Sequence, residues 1–280
     1  MKLEYEVKKS MKLGDFLGKE CGISRRMLIK LKNTPMGITR NGELIRTIDK
    51  VCEGDRIVLQ WEDEKFLQPN GNIYADIAFE NESVVIFGKP TGMPVHPSVK
   101  HYGDTLGNYF AYKYPDLTFR PVNRLDRDTS GLCLIAKNAP AVQAVQGSIR
   151  KIYYAVVTGD ISEDGVIDAP IAREKDSVIK RVVREDGRRA VTHYEVIGGS
   201  GKYTLLKIRL ETGRTHQIRV HFAHIGHPLA GDDLYGGSRE DIDCQALHCG
   251  ELTFTDPVSG GEIIVTSEIR DDMKRLILRR

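Results

Sequence analysis

Cysteine is scarce and unpatterned in this 280-residue chain. The five present, Cys21, Cys52, Cys133, Cys244 and Cys249, form an odd set without a CxxC pair. That argues against a disulfide framework and a zinc ribbon, and favours a reducing, cytoplasmic setting. Long apolar runs are missing too: none approaches the roughly 20 residues needed to span a bilayer, which argues against a membrane protein. The opening MKLEYEVKKS lacks the apolar stretch of an export signal. Repeats and low-complexity tracts are absent, and 27 glycines with 11 prolines are too few for a collagenous chain. Net charge is only +2.

What is present suffices for a sizeable core, with 40% hydrophobic and 29% charged residues. The length suggests about two domains, or one large domain with an appendage. The small net charge is unevenly spread. Residues 1–60 hold 13 Lys/Arg against 8 Asp/Glu, and Ile171–Ala190 holds seven against four. Basic charge gathered in two places is the footprint of a polyanion partner such as nucleic acid, although an ordinary solvated surface gives the same count.

The first 60 residues read as a small α/β-type unit. A helix-like stretch around Asp15–Gly22 is followed by a second helix, capped by Ser24, with Met27, Leu28 and Leu31 on its buried face. Asn41-Gly42 is a strong hairpin signal, and Arg56–Leu59 lies in an alternating strand. Trp61–Asp76 is polar, carries Pro69-Asn70-Gly71 and is expected to be a linker. From Ile77 onward strands dominate: Ser83–Phe87, Leu132–Ala136, Tyr153–Thr158, Thr192–Ile197 and Tyr203–Leu210. With few helices between them, a regular βαβ array is unsupported. The expectation is an α+β domain over residues 77–280, built on a large mixed, mainly antiparallel sheet.

One helix bears on function. Thr212 or Thr215 is placed to cap it, Gly226 to end it, and Ile218, Phe222 and Ile225 to face the core. Arg219 falls about 100° round from Ile218, on the flank of that stripe. A guanidinium drawn inward keeps its charge and requires a carboxylate. The best candidate is Asp126, in the polar turn Val122–Gly131 that leads into the strand Leu132–Ala136. A loop residue at the edge of a rigid strand suits catalysis, though a loop Asp that bonds nearby backbone is an equally ordinary find.

Four ordered blocks from about Ile77 onward resemble the RluA-type pseudouridine synthases, which isomerise uridine within RNA. They are ENESVVIFGKPTGMPVHPS at 80–98, NRLDRDTSGLCLIAK at 123–137, KIYYAVVTG at 151–159 and LETGRTHQIRVHFAHIGHPLAGDDLYG at 210–236. Leu247-His248 and Phe254–Pro257 add a weakened tail motif. The amino-terminal unit is similar to the small αL RNA-binding domain first known from ribosomal protein S-four. The chain departs from the family at Asn123, where the catalytic block usually begins with His. Asn keeps a donor and an acceptor but loses the titratable ring, so altered local contacts or substrate preference are expected rather than lost activity.

The resemblance implies the pseudouridine synthase fold and a cofactor-free, metal-free isomerisation. A carbon–nitrogen glycosidic bond breaks, the uracil turns, and a carbon–carbon bond forms through carbon 5. It assigns the ionised carboxylate to Asp126, as nucleophile or as base, and its partner to Arg219, which favours the charged form. The target base must leave its stack. Arg124 would then fill the vacated space or grip a phosphate, and Tyr153 would face the flipped uracil and relay a proton. Leu247 would wall the pocket, and Lys151 and Arg214 would contact phosphates. From the residues alone, a strand Tyr153 packed in the core is the commoner fate, and a core Leu247 is an equally fair reading. The implied partner is RNA, ribosomal before transfer RNA, with no membrane and no obligate protein partner. Two other readings stay open. One is an inactive RNA-binding or ribosome-assembly factor on the same fold. The other is a metal-dependent RNA hydrolase built on His216, His221, His224 and His227, although these spread round more than half a helix and lack a usual ligand set.

Overall fold

The computed structural model describes residues 2–61 and 67–278. The chain divides into two compact units, Met1–Phe66 and Leu67–Arg280. In the first, β1 (Lys2–Glu6), β2 (Met11–Lys12), α1 (Leu13–Asp15) and α2 (Arg25–Lys32) precede β3 (Ile38–Arg40), β4 (Glu43–Leu44), β5 (Lys50–Val51) and β6 (Arg56–Gln60). The chain beyond α1 runs on as a π-helical turn, Phe16–Glu20, so the expected helix around Asp15–Gly22 starts earlier and is less regular. Ser24 caps α2 by accepting from the Met27 N–H. Asn41 and Gly42 both take positive φ, 51° and 93°, between the paired residues Arg40 and Glu43. Positive φ at both central residues gives the twist that a two-residue hairpin needs. The sheet order is β1-β6-β3-β4, over a core that includes Leu13, Leu17, Leu31, Ile57 and Leu59.

Of the segment expected to link the units, residues 62–66 lie outside the described residues, and the rest corrects the expectation. Residues 67–76 belong to the second unit. The reason lies in α3 (Leu106–Lys113), whose buried Asn108 donates to the Gln68 carbonyl at 2.8 Å and accepts, through its own carbonyl, from the Asn70 N–H at 3.1 Å. Polar residues that read as a solvated tether have their hydrogen bonds answered by a buried amide.

The second unit opens with β7 (Asp76–Glu80) and β8 (Val84–Lys89), and after α3 come β9 (Ser130–Ala136), α4 (Ala139–Gln146) and β10 (Arg150–Thr158). Then follow β11 (Gly165–Asp168), β12 (Ile171–Arg173), β13 (Arg181–Val183), β14 (Val191–Gly199) and β15 (Tyr203–Leu210). The chain ends with α5 (Gln217–His224), β16 (Leu247–Thr255), β17 (Glu262–Thr266) and α6 (Asp271–Leu278). Among the described residues the main sheet has nine strands, in the order β11-β14-β15-β10-β16-β9-β8-β7, with β17 also paired to β16. Among the described residues only β9 and β16 run parallel, so this is the mixed, mainly antiparallel α+β sheet expected. Strand alternation sorts its side chains into two cores. Tyr153, Ala155, Leu206 and Ile208 face the larger one with Ile218 and Phe222 of α5. Val156, Tyr203 and Leu205 face a smaller one closed by Met273 and Leu276 of α6.

Two irregularities position the site. Between Ile152 and Tyr153 of β10 the partner on β16 skips from Glu251 to Cys249, leaving Gly250 as the bulged residue. The extra residue shifts the parity of β16, so Leu247 and Cys249 face the same core as Leu252 and Phe254. At the start of β9, Gly131 takes φ +105°, and a Cβ there would lie 2.3 Å from the Cys249 carbonyl oxygen. Gly131→Ala should therefore combine left-handed strain with overpacking and lose about 2–4 kcal/mol, readable as a lower urea midpoint with unchanged m-value.

Candidate active site

The turn from Asn123 to Ser130 is tied down along its length. Asn123 is buried, donating from Nδ2 to the Leu132 carbonyl at 3.1 Å and accepting on Oδ1 from the Leu134 N–H at 2.7 Å. The residue that departs from the family's usual His is thus a clamp between the turn and β9, and it points at backbone. Lys89, at the end of β8, is also buried and donates to the carbonyls of Pro90, Met93 and Arg127 at 2.8, 2.8 and 2.9 Å. Burial pushes its ammonium down to about 8. Gln245 Nε2 donates to Thr129 Oγ1 at 2.8 Å, and the Thr129 N–H closes the turn on the Asp126 carbonyl at 3.1 Å.

Asp126 emerges from this turn into an open cleft. The cleft is lined by the expected Arg124, Asp126, Tyr153, Arg214, Arg219 and Leu247. Lys151, two residues before Tyr153 on β10, is half-buried and does not line it. Arg124 is exposed at the mouth, and Arg214 donates from Nε to the Arg189 carbonyl at 3.0 Å. That bond ties the cleft wall to the basic segment 171–190. The segment's hairpin, β12 with β13, rests on α5 through Ile171, Val183 and Val220. Tyr153 is buried, and desolvation raises its hydroxyl well above the ordinary tyrosine value, with the charges of Cys249 and Asp126 adding to the rise, so it stays protonated.

Arg219 is only 6% exposed and is held from two sides. Its Nη1 meets Asp126 Oδ2 at 3.2 Å, while Nε and Nη2 form a bidentate pair with Asp232 at 2.7 and 2.8 Å. Burial works to lower its pKa, but the hydrogen bonds and charges of Asp232 and then Asp126 outweigh that and raise it. The guanidinium also lies over the Tyr235 ring, 5.0 Å from the centroid. Asp232 and Tyr235 were within reach of sequence reasoning, since both stand in the block 210–236 and a buried Arg demands a carboxylate. The unrecognised fact is that one guanidinium serves two.

Helix α5 enters differently from expectation. Neither Thr212 nor Thr215 caps it; the N-cap is His216, in the left-handed region at φ 57°. Thr212 is committed elsewhere, donating to Gln217 Oε1 at 2.8 Å, and the Gln217 and Val220 N–H groups at the helix start find the Arg214 and His216 carbonyls at 3.1 and 2.9 Å. Ile225 is 38% exposed rather than buried, because it sits at the C-cap, beyond the helical turn that directs Ile218 and Phe222 inward. The four histidines go separate ways. His216 faces Asp126, His221 bonds Thr192 and the Ala169 carbonyl, His227 meets the Thr158 carbonyl, and His224 lies at the last residue of α5. Among the described residues no three of His, Cys, Asp and Glu stand where they could share a metal ion, and no helix is long and apolar enough to cross a membrane.

Removing the carboxylate of Asp232 leaves a charged guanidinium buried and half paired. Asp232→Ala should cost about 3–5 kcal/mol in denaturant unfolding, although this side chain does not line the cleft. Lys89 supplies a pH signature. Its proton is held at about 8 in the folded chain against 10.5 when unfolded. The unfolded state therefore binds more protons in that window, and stability rises with pH across it. Thermal melts of the native protein and Lys89→Met between those limits should differ in slope, the variant lacking this rise.

Comparison with known proteins identifies the family. Residues 83–224 match the family model described as RNA pseudouridylate synthase. The chain is 37% identical over 270 residues to YjbO of Bacillus subtilis (strain 168), an uncharacterized RNA pseudouridine synthase, over 92% of this chain and 95% of that one. It is 36% identical over 266 residues to the ribosomal large subunit pseudouridine synthase D of Pseudomonas aeruginosa, covering 86% and 82% of the two chains. The fold is shared with human RNA pseudouridylate synthase domain containing 1, at TM-score 0.60 and 23% identity over 72% of this chain and 86% of that one. The helix-and-sheet make-up of the first unit is consistent with the S-four-type RNA-binding domain. With a buried Arg beneath a cleft carboxylate, and with this likeness along nearly its whole length, the chain belongs to the RluA-type family of RNA pseudouridine synthases.

Proposed function

We propose that this synthase isomerises uridine in large-subunit ribosomal RNA, with Asp126 as the reacting carboxylate. The observation that carries the reading is the ion pair of Asp126 with Arg219 at 3.2 Å on the wall of the cleft. The reaction needs a carboxylate oxygen beside the glycosidic carbon, and the permanently charged guanidinium holds Asp126 by its Oδ2 at the cleft wall. Its second carboxylate, Asp232, offsets the cost of burying the cation. Arg219 thus serves Asp126 without depending on it for its own burial.

The remaining lining fits an everted nucleoside. Tyr153 and Leu247 present a ring face and an apolar wall for a flat base, and the still-protonated Tyr153 hydroxyl is available to give a hydrogen bond or a proton. Arg124, exposed at the mouth, suits the space a flipped base leaves or a flanking phosphate. The basic segment 171–190 reaches the cleft through Arg214 and supports polyanion binding there. Lys151 does not line the cleft, so any phosphate it meets lies outside the base pocket. The ribosomal target is supported by the ribosomal large subunit synthase among the relatives.

The decisive assay is tritium release from a large-subunit ribosomal RNA transcript carrying carbon-5-tritiated uridine. Asp126→Asn should lose turnover by something on the order of 10⁴-fold while RNA affinity is kept. Normal turnover in that variant would sink the assignment of the carboxylate. Deleting residues 1–66 should weaken RNA binding and reduce its salt dependence by several charges, and an unchanged slope in a filter-binding series would place the grip elsewhere.

A further inference from the structure

We propose that His216 is a positioning residue for the isomerisation, held by Tyr235 with its proton on Nε2 so that this N–H steadies Asp126 Oδ2 and leaves Oδ1 toward the nucleoside. The inference rests on the reading of Asp126 given above. It starts from the proton inventory around Tyr235. The Tyr235 oxygen accepts from the Arg181 N–H at 2.9 Å and lies 2.8 Å from His216 Nδ1. If Tyr235 donates to Nδ1, the tyrosine proton has an acceptor, and the opposite nitrogen carries its hydrogen toward Asp126 Oδ2, 3.7 Å away. The reverse tautomer would leave the tyrosine proton without this acceptor and aim a lone pair at a carboxylate.

Charge state points the same way. Burial lowers the His216 pKa; Asp126 opposes it, Arg219 and Arg181 reinforce it, and Asp232 opposes it weakly. Tyr235 stays protonated, its hydroxyl pushed up to about 12 by burial, so it remains a donor. The ring that faces Asp126 is thus a neutral donor of fixed orientation.

Two further observations separate this from incidental packing. His216 occupies the left-handed region at φ 57°, a conformation that costs a non-glycine residue free energy and that sets the imidazole beside the turn. Arg219 Nη1 and His216 Nε2 both converge on Oδ2, and among the described residues no hydrogen bond or ion pair reaches Oδ1. A carboxylate gripped through one oxygen presents the other. At 3.7 Å the His216 contact is longer than a hydrogen bond, and catalytic hydrogen bonds commonly tighten when substrate is bound.

The test is single-turnover tritium release with the same ribosomal transcript, alongside RNA affinity. His216→Ala should lower the rate by about tenfold, the scale of one positioned hydrogen bond to a charged group, with affinity unchanged. His216→Gln, whose Nε2 can donate at a similar reach, should recover most of that loss. Tyr235→Phe leaves the ring in place but frees its tautomer, and should slow the reaction by a smaller factor. An alanine variant as fast as the native enzyme overturns the inference, and so does a glutamine variant no better than alanine, because a scaffolding role would not distinguish the amide donor. Asp126→Asn, run in parallel, separates the two readings. If it is silent while His216→Ala is unimpaired, only the inference fails; if it is fully active, both fail.

Discussion

A guanidinium that cannot give up its proton, taken almost wholly out of water, dictates much of what surrounds the cleft. Burying such a charge is costly unless its hydrogen-bonding edges are matched. Asp232, with a side chain fully out of solvent, takes the Nε and Nη2 edge in a fork-to-fork pair, and the face of Tyr235 covers the plane. That leaves Nη1 for Asp126 at the cleft wall. The division of labour matters because the two carboxylates have different tasks. One is buried and fixes the cation; the other stands at the cleft wall.

The carboxylate is useful only if its turn stays in place, and the turn has few apolar residues to hold it. Backbone hydrogen bonding substitutes for packing. Asn123 stitches its start to β9, and Lys89 gathers three carbonyls, one of them at Arg127 directly after Asp126. The close approach at Gly131 lets β9 and β16 run side by side where the turn ends. Asn123, where the family usually has His, is spent entirely on this framework, which accounts for why the departure leaves the cleft's composition intact.

The same elements that build the pocket also connect it to the surface expected to meet RNA. The β12–β13 hairpin carries much of the second basic cluster and packs on α5, the helix of Arg219. Its Arg181 backbone N–H reaches Tyr235, and Arg214 on the cleft wall reaches the Arg189 carbonyl. The basic hairpin and the Arg219–Asp126 pair are therefore parts of one hydrogen-bonded region of the second unit.

What local pattern and chemical necessity control is legible along the chain. The Asn41-Gly42 hairpin, the alternation of Tyr203–Leu210, the pairing need of Arg219 and the candidacy of Asp126 follow from periodicity, turn chemistry and the permanence of a guanidinium charge. That residues 67–76 are packed rather than linking depends on Asn108, a partner distant in sequence. The bulge at Gly250, which turns Leu247 into the cleft, becomes visible only when β16 has β10 as a neighbour. The left-handed entry at His216 and the second carboxylate at Asp232 likewise depend on what is folded against α5. Side-chain orientation at a strand irregularity or helix entrance is set by the partner element, and a single chain read in order does not contain that partner's position.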